Sequence, residues 1–391
     1  MAIVRQIKEA NMPKVLFVTT VSGTLRAFLL PIAEHFRSQG WVVDGMAQGI
    51  ADCSICRNSF DRVWEVNWSR NPLDYNNFIN APRRIQKIVL EEQYDIIHVH
   101  TPVAAFITRL ALRKTRKKGQ SKIIYTAHGF HFYKGAPAYK NAVFIFLEKI
   151  AGQWMDYLVV INREDEFAAV KYKLAASDNI VYMPGIGVDS SFYCPGKVSD
   201  QDVEKLRDEL RLKPEDKIFL MVGEFIPRKR HRDLIEAFSF INNPHIHLVF
   251  AGVGQLMEPM KDLAIKKGIG ANVHFLGYRN DIPVLMRASL ATILPSEQEG
   301  LPRCAMESLS LEVPVIATNI RGTSELLADG AGIVYQVGDI EGLANAMQYI
   351  INNPSTAQEM GRVGRKAVLE EYDLGIIIQM HEQLYNRALQ E

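Results

Sequence analysis

The chain has 391 residues, too many for one ordinary hydrophobic core, so two domains of about 200 residues each are expected. With 48% hydrophobic and 23% charged residues, the composition is typical of a globular protein and excludes a disordered or fibrous chain. The net charge of +1 gives no overall basic field that would indicate nucleic-acid binding.

The charged residues are nevertheless divided unevenly between the two halves of the chain. Residues 1–190 contain 24 Lys and Arg against 17 Asp and Glu, a difference of +7. This leaves 21 against 27, a difference of −6, for residues 191–391. The imbalance predicts different partners for the two halves.

Cysteine usage and hydropathy favour a cytoplasmic protein. Cys53 and Cys56 have no second pair at zinc-ligand spacing, which favours ordinary reduced thiols over a metal or redox site. Residues 1–11 do not resemble a signal peptide and are interpreted as a dispensable leader. The apolar segment 143–160 is interrupted by three charged residues, so no membrane-spanning helix is predicted.

The first half of the chain alternates predicted strands with predicted helices. Short apolar runs of the kind found inside parallel sheets occur at 14–20, 41–47, 95–100, 122–128, 157–162 and 179–184. Helical patterns fill the intervals, including 74–92 and 103–118. Such alternation predicts βαβ units and a parallel sheet covered by helices.

The second half repeats this architecture after a linker. Residues 183–202 are rich in Gly, Pro, Ser and Asp, and new strands are predicted at 217–225, 246–254, 272–278, 290–296 and 313–318. We therefore predict an α/β fold of two Rossmann-like doubly wound domains facing across a cleft. Residues 1–188 and 189–373 form these domains, and 374–391 form a C-terminal helix that packs back towards the first. Ligands of such sheets bind beyond the carboxyl ends of the strands.

Two carboxylates flank a Gly-Leu-Pro break after one predicted strand. Glu299 and Glu307 are separated by seven residues, and Pro302 suits the first turn of a helix. The N–H groups of Gly300 and Leu301 would then form an anion site at the positive end of the helix dipole. Carboxylates suit sugar diols, because each oxygen accepts one O–H. A helix cap at Glu299 and a solvated Glu307 remain an equal alternative.

A basic loop follows the first strand of the second half. The segment 223–238 places Arg228, Lys229, Arg230 and Arg232 between a strand and a helix. Cations at this place would stabilise the charge that develops on a phosphate leaving group. A solvated basic turn is the alternative.

Glycines and a histidine mark three further strand ends. Gly254 in the segment AGVGQ fits a tight turn as well as a phosphate cradle. Gly23 follows the first strand, where glycine lets the backbone approach a ligand closely. His128 stands beside Gly129 just past another strand and is either a substrate-binding or a structural histidine.

These segments, in this order, resemble the family 4 retaining glycosyltransferases of the GT-B type, and most of all the bacterial capsule, exopolysaccharide and lipid-linked-oligosaccharide branch. The matching stretches are KVLFVTT, YDIIHVHTP, YTAHGFHFYKG, MPGIGVD, VGEFIPRK, FLGYRNDIP, PSEQEGLPRCAMESL and VPVIATNIRGTSELL. They span nearly the whole chain. Eight stretches in register make the resemblance specific, although each one is modest alone.

The resemblance implies a role for each matching residue. Glu299 and Glu307 would contact the donor sugar and the ribose, and Lys229 the donor diphosphate. Backbone N–H groups at Gly300 and Leu301 would hold sugar and phosphate. The remaining matches are Gly277, Tyr278 and Arg279 beside the base, His128 near the reacting sugar, and Gly23 near donor phosphate and acceptor. The family needs no metal and no cofactor, and none is expected here.

One departure from the family pattern concerns the diphosphate. Family members often have arginine directly after the strand-end glycine, whereas this chain has Glu224. We expect Arg228 to supply the missing charge.

The expected function is transfer of a sugar, with retention, from a nucleotide-diphosphate sugar, most simply a UDP-sugar, to a saccharide or polyprenyl-diphosphate-linked saccharide. A nucleotide-sugar epimerase of the same architecture and a non-catalytic sugar-nucleotide binding protein are the alternatives. A basic helix suits peripheral contact with an anionic membrane, because such clusters attract anionic lipids, and a solvated basic helix end is an equal alternative. Its residues are Arg109, Arg113, Lys114, Arg116, Lys117, Lys118 and Lys122.

Overall fold

The computed structural model describes residues 12–68, 74–133 and 135–391, so the predicted leader, residues 1–11, lies outside the described residues. The chain divides into two compact units. The first comprises Met1–Ile186 and Ile377–Glu391, and the second comprises Gly187–Ile376.

The first unit contains a parallel sheet of seven strands in the order β3-β2-β1-β4-β5-β6-β7. The strands are β1 Lys14–Val21, β2 Val42–Gln48, β3 Val63–Glu65, β4 Ile96–His100, β5 Lys122–Ala127, β6 Tyr157–Val160 and β7 Ile180–Tyr182. The helices are α1 Leu30–Ser38, α2 Ser54–Ser59, α3 Tyr75–Phe78, α4 Asn80–Glu92, α5 Pro102–Lys117, α6 Ala138–Gly152 and α7 Arg163–Tyr172. Central strands such as β4 are buried along their whole length, which explains their continuous apolar sequence.

The second unit contains a parallel sheet of six strands in the order β10-β9-β8-β11-β12-β13. Its strands are β8 Lys217–Val222, β9 Ile246–Ala251, β10 Val273–Phe275, β11 Ser289–Leu294, β12 Val315–Thr318 and β13 Gly332–Tyr335. Its helices are α8 Asp200–Glu209, α9 His231–Phe238, α10 Met257–Lys266, α11 Ile282–Arg287, α12 Arg303–Ser310, α13 Thr323–Leu326, α14 Ile340–Asn352 and α15 Pro354–Ala367. The prediction of two doubly wound parallel-sheet α/β domains is confirmed.

The last helix, α16 Leu374–Gln390, packs its later turns into the first unit. Tyr385 is fully buried there, and its ring stacks on Phe36 of α1 with ring centroids 4.8 Å apart. The Tyr385 hydroxyl is 2.6 Å from Nδ1 of His98 on β4. The C-terminal helix is therefore part of the core beneath the first sheet.

The sequence patterns missed features that have little periodicity. Strands β3 and β13 are short and lie at sheet edges, where the apolar signal is weak. The helix predicted after β1 is divided into a turn at Ser22–Thr24, a π-helical segment Leu25–Leu29 and α1. Pro31 has no N–H to donate, so a regular α-helical ladder cannot continue through it.

Candidate functional site

The strand-end loops of the second unit bring a lysine, an arginine and a carboxylate together. Lys229 ends a 3₁₀ turn after β8, and Glu299 lies on the loop after β11. The Lys229 Nζ atom is 2.7 Å from Oε1 of Glu299, and the Arg228 Nη1 atom is 3.5 Å from Oε2. Because β8 and β11 are adjacent parallel strands, their carboxyl ends meet at one edge of the sheet. The predicted partners Arg228, Lys229 and Glu299 are therefore in contact.

The Glu299 carboxylate is held in its charged form. Burial opposes ionisation, but Lys229 and then Arg228 outweigh it and hold the pKa of Glu299 below its usual value. Arg228 is the more exposed of the two cations, with 44% of its side chain accessible against 12% for Lys229. Within this contact the two cations outnumber the one carboxylate, which suits an anionic ligand. Glu224 is exposed on the same loop.

The two loops that carry these charges are joined through the backbone. The Glu297 N–H donates to the carbonyl of Arg228 at 2.9 Å. Arg321, on the loop after β12, donates from Nε to the carbonyl of Glu299 at 3.2 Å. Gly322 has a φ of +79°, and a Cβ there would lie 2.0 Å from the carbonyl oxygen of Gly300. Arg321 and Gly322 thus support the predicted anion site.

Sequence reasoning did not single out these two supporting residues. Their stretch, NIRGT, follows a buried strand, and an Arg-Gly pair at a strand end is a weak signal on its own. Its connection to Gly300 depends on strand order, which places β12 beside β11. The pair could have been found only after the sheet topology was known.

Glu307 is buried on helix α12 and is not solvated on its outer face, so that alternative is wrong. Its Oε1 atom is 2.7 Å from Nε of Arg303, one helical turn earlier. The hydroxyl of Tyr193 also bonds to its carboxylate. Pro302 stands one residue before the helix, as its N-cap, and Gly300 and Leu301 precede it. The role of the Glu307 carboxylate towards a ribose stays a prediction.

The other predicted donor-binding residues lie at the ends of β9 and β10. Gly254 has a φ of +152°, and a Cβ there would lie 2.7 Å from the backbone of Phe225, so close packing alone requires glycine. The carbonyl of Gly277 accepts a hydrogen bond from the Gly252 N–H at 2.7 Å. Their contact with a donor stays a prediction.

The two side chains after Gly277 differ in availability. Tyr278 is 71% exposed. Arg279 is bound by two carboxylates, with nitrogen–oxygen distances of 2.6 Å to both Glu209 and Asp281. These bonds raise the pKa of the Arg279 guanidinium above its ordinary value. A nucleotide base bound here would therefore meet the exposed ring of Tyr278 and the guanidinium of Arg279, which is already paired with two carboxylates.

His128, in the first unit, belongs to a stack of histidines. It follows β5, is partly exposed, and its Nε2 atom is 3.1 Å from Nδ1 of His100 at the end of β4. The His100 ring is stacked on His128, with centroids 5.3 Å apart, and packs at a tilt against His98, with centroids 4.2 Å apart. Burial, followed by repulsion from His381, lowers the pKa of His128 to about 4. His128 is therefore a neutral imidazole at pH 7.

The partners of His128 were not predicted, although the alternation in the β4 sequence IIHVH places His98 and His100 on one face. Burial lowers the pKa values of both histidines well below the ordinary value. His98 is hydrogen-bonded at both nitrogens, by Tyr385 at 2.6 Å and Thr126 at 2.7 Å. The stack therefore holds His100 and His128 on a rigid base.

Gly23 lies in the helical turn Ser22–Thr24 directly after β1. A Cβ built there meets no atom within 4 Å, so packing does not require glycine at this position. Its proximity to a donor phosphate stays a prediction.

The predicted basic helix is only partly available to a membrane. Arg109 is fully buried in α5 and is paired with Glu148 at 3.1 Å, and Arg116 is paired with Asp156 at 3.0 Å. The prediction that Arg109 contacts lipid is therefore wrong, whereas Arg116 is half-buried. Arg113, Lys114, Lys117 and Lys118 are exposed. None of the helices described is both long and apolar enough to cross a bilayer.

One group of side chains in the described residues could hold a metal ion. It consists of Glu215, Asp216 and His245, which precede β8 and β9 and so lie at the opposite ends of the strands from Lys229. Asp216 already accepts hydrogen bonds from His245 Nδ1 at 2.9 Å and from the Lys213 N–H at 2.7 Å. Hydrogen bonding thus explains this cluster without an ion. Cys53 and Cys56 are free thiols.

Comparisons with known proteins match both units. Residues 14–180 match the family model "Glycosyl transferase 4-like", and residues 202–367 match "Glycosyl transferases group 1". The putative glycosyltransferase EpsD of Bacillus subtilis (strain 168) is 33% identical over 359 residues, which cover 91% of this chain and 92% of EpsD.

A second relative and a solved structure extend the likeness. The Escherichia coli UDP-Gal:alpha-D-GlcNAc-diphosphoundecaprenol alpha-1,3-galactosyltransferase is 31% identical over 273 residues, covering 67% of this chain and 68% of that enzyme. The crystal structure of Anabaena Alr3699/HepE in complex with UDP has a TM-score of 0.79 at 19% identity, covering 96% of this chain and all of that chain. The two sheets, their strand-end residues and these matches establish that the chain belongs to the family 4 glycosyltransferases of the GT-B type.

Proposed function

We propose that the protein transfers a sugar, with retention of its anomeric configuration, from a UDP-sugar to a hydroxyl of a saccharide or a polyprenyl-diphosphate-linked saccharide. The reaction would serve the synthesis of a bacterial surface polysaccharide. The observation that carries the proposal is the contact of Lys229 and Arg228 with Glu299 at the carboxyl edge of the second sheet.

The cations suit the leaving group of such a transfer. As the bond between the anomeric carbon and the phosphate oxygen breaks, negative charge develops on the diphosphate, and Lys229 and Arg228 stabilise it. Arg228 lies on the same loop as Glu224 and supplies the charge that family members often place at the earlier position. The family resemblance also implies contact of the Gly300 and Leu301 backbone with the donor, and both residues lie next to the Pro302 N-cap of α12.

The carboxylates suit the two sugar rings of the donor. Glu299 is charged and accepts hydrogen bonds from hydroxyls of the transferred sugar, and Glu307 accepts those of the ribose. Tyr278 is exposed and forms a surface for the base, next to Arg279 and Gly277. Gly254 lets the β9 loop lie close against the β8 loop, and this packing shapes the phosphate site.

The transfer balances without a metal or a redox cofactor. The acceptor oxygen forms a bond to the anomeric carbon, and the bond to the diphosphate oxygen breaks. The acceptor proton passes to an oxygen of the departing phosphate. UDP therefore leaves from the same face of the sugar ring that the acceptor approaches. His128 is neutral and donates or accepts a hydrogen bond at the reacting sugar without adding a charge. Gly23 leaves room for the acceptor and the donor phosphate.

The relatives support the choice of donor and acceptor. The Escherichia coli relative is named for a UDP-galactose donor and a diphosphoundecaprenol-linked acceptor. The HepE structure contains UDP. A lipid-linked acceptor places the reaction at the cytoplasmic face of the membrane, and the exposed cations of α5 suit peripheral contact with anionic lipid there.

The proposal is tested by incubating the protein with UDP-sugars and GDP-sugars and measuring nucleotide release, with and without a polyprenyl-diphosphate-linked saccharide. We expect slow hydrolysis of one UDP-sugar alone and faster turnover with the acceptor. The anomeric configuration of the product, read from its proton NMR coupling constant, tests retention.

Two other outcomes would contradict the proposal. Conversion of the UDP-sugar to its epimer without nucleotide release would identify an epimerase. Stabilisation against heat by a UDP-sugar, with no turnover under any acceptor condition, would identify a binding protein. Intact Lys229 and Glu299 in direct contact favour transfer over both.

A further inference from the structure

Two cysteines of the first unit are in contact at the start of helix α2. The Sγ atoms of Cys53 and Cys56 are 2.6 Å apart, and the Cys56 N–H donates to the Cys53 sulfur at 3.3 Å. Cys53 is the N-cap of the helix, and Cys56 lies in its first turn. The sequence alone favoured ordinary thiols here, because no second pair follows at metal-ligand spacing. The structure adds the contact between the two sulfurs that a disulfide requires.

The two thiols differ in accessibility. Cys53 is half-buried, whereas Cys56 is fully buried. Burial, followed by the hydrogen bond with Cys53, raises the pKa of Cys56 to about 12, so Cys56 keeps its proton at pH 7. In redox-active pairs the more accessible sulfur reacts with the oxidant and its neighbour resolves the product. Cys53 and Cys56 have this asymmetry.

A metal ion does not explain the pair. Within residues 12–68, 74–133 and 135–391, the one group of side chains that could hold an ion is Glu215, Asp216 and His245, in the second unit. Two thiolates are only half of the four ligands that a structural zinc site uses. In a reducing compartment a disulfide is transient and serves catalysis or redox sensing.

The pair lies beyond the carboxyl ends of β1 and β2. Helix α2 follows β2, and the Cys56 thiol donates to the carbonyl of Ser22, 3.9 Å away, in the turn that follows β1. Ser22 precedes Gly23, which is predicted to lie near the substrates. A disulfide removes the thiol hydrogen of Cys56, so the Ser22 carbonyl loses this donor.

We propose that Cys53 and Cys56 form a reversible dithiol–disulfide pair that hydrogen peroxide oxidises, and that oxidation loosens the turn Ser22–Thr24 and slows transfer. The Cys53 thiol ionises, and its thiolate attacks one oxygen of the peroxide. The O–O bond breaks, and the departing hydroxide takes up the proton that the thiol released, which gives water and a sulfenic acid at Cys53.

The second step closes the disulfide. The Cys56 sulfur attacks the Cys53 sulfur, the S–O bond breaks, and the hydroxyl group leaves with the Cys56 proton as a second water. The pair is oxidised by two electrons, and the peroxide is reduced by the same two. A dithiol reductant returns two electrons and two protons and restores both thiols.

The site is tested on the full chain without any substrate. Protein reduced with dithiothreitol is desalted, treated with hydrogen peroxide and alkylated with iodoacetamide. Trypsin releases residues 38–57 as one peptide that holds both cysteines, so a disulfide registers by mass as the loss of two hydrogens without alkylation. We expect this peptide to be oxidised while Cys194 of the second unit is still alkylated, and dithiothreitol to restore both thiols.

Single substitutions assign the two roles. Cys53→Ser keeps a good N-cap for α2 and should give neither a disulfide nor a sulfenic acid. Cys56→Ser should leave Cys53 as a sulfenic acid, which dimedone traps as an adduct. Cys194→Ser, at a half-buried cysteine, is the control and should oxidise as wild type does. If the unfolding midpoint shows that Cys56→Ser is unstable, Cys53→Ser and dimedone trapping in wild type make the assignment.

The effect on the turn is measured by hydrogen exchange, which does not depend on activity. The amides of residues 22–29 should exchange about threefold faster after oxidation of wild type, and no faster in Cys53→Ser treated in the same way. Nucleotide release from the UDP-sugar should fall about threefold on oxidation and recover with dithiothreitol. Only this last measurement rests on the proposed function.

Four results would overturn the proposal. They are a pair that stays reduced while Cys194 is oxidised, a disulfide that dithiothreitol does not reopen, unchanged exchange of the turn in fully oxidised protein, and turnover that oxidation leaves unchanged. Absence of nucleotide release in both redox states, with a disulfide that forms and alters exchange, contradicts the proposed function and not the redox pair.

Discussion

The two units place opposite kinds of electrostatics at their strand ends. In the second unit, Lys229 and Arg228 meet an ionised Glu299, so charge is concentrated there. In the first unit, His128 and His100 are neutral and stacked on a buried base. A diphosphate needs charge for binding, whereas a reacting sugar needs hydrogen bonds that do not compete for the acceptor proton. The difference predicts that charge changes are most damaging in the second unit.

The largest effect is expected at Lys229. Lys229→Ala removes the cation closest to Glu299 and should lower kcat/KM for the UDP-sugar about 100- to 1,000-fold, as loss of a transition-state donor does in other enzymes. Lys217→Ala, an exposed lysine at the opposite end of strand β8, is the matched control. Steady-state nucleotide release measures both. A kcat/KM of the Lys229→Ala enzyme within threefold of the control would contradict the predicted importance of charge in the second unit.

Arg228→Ala should have a smaller effect, about tenfold on kcat/KM, because Arg228 is more exposed and 3.5 Å from Glu299. Arg228→Lys keeps the charge and should recover part of the activity. The same nucleotide-release assay measures kcat/KM for Arg228→Ala and Arg228→Lys. Unchanged turnover in Arg228→Ala would mean that this residue does not replace the arginine that the family resemblance implies in place of Glu224.

Gly23→Ala tests ligand proximity in the first unit. A Cβ at this position meets no protein atom and Gly23 lies in a helical turn, so the unfolding midpoint should stay constant or rise slightly while transfer falls a few-fold through contact with the substrates. Gly196→Ala, at another glycine with no atom within 4 Å, is the control for both measurements. Equal transfer rates in the two variants would place Gly23 away from the substrates.

The smallest expected effect is a pH dependence of stability. The pKa of His381 is lowered to about 4 by burial, so between pH 6.5 and 4 the unfolded chain binds a proton that the folded chain does not. Stability from this residue is full above pH 6.5 and is lost as the pH falls, by about 1.4 kcal/mol per pH unit at most. His381→Asn should flatten the decline of the unfolding midpoint by about 3 °C per pH unit. An unchanged slope would assign the decline to other groups.

Much of the fold and of the charged site could be predicted from local pattern. The buried runs at β1, β4, β8 and β11 predict parallel strands, but the strand order that places β8 beside β11, and so Lys229 near Glu299, comes from the structure. The edge strands β3 and β13 were missed, whereas the equally short edge strands β7 and β10 were predicted because they lie in longer apolar runs. Burial of Glu307 was equally hidden, since spacing does not tell which face of α12 is covered.

Other contacts depend on residues far apart in the sequence. Arg109 was expected to be a surface cation, but Glu148 on a different helix provides a buried partner for it. His98 and Tyr385 are 287 residues apart, and only the packing of α16 brings them together. Long-range pairs of this kind have no signal in a single sequence.

The hydrogen bond from the Glu297 N–H to the Arg228 carbonyl has a practical consequence for protein engineering. It couples the loop after β8, which we propose binds the diphosphate, to the loop after β11, which we propose binds the sugar, so neither loop can be exchanged for a relative's version without disturbing its neighbour. Chimaeras designed to accept a new donor should therefore exchange 223–230 and 296–302 as a single cassette.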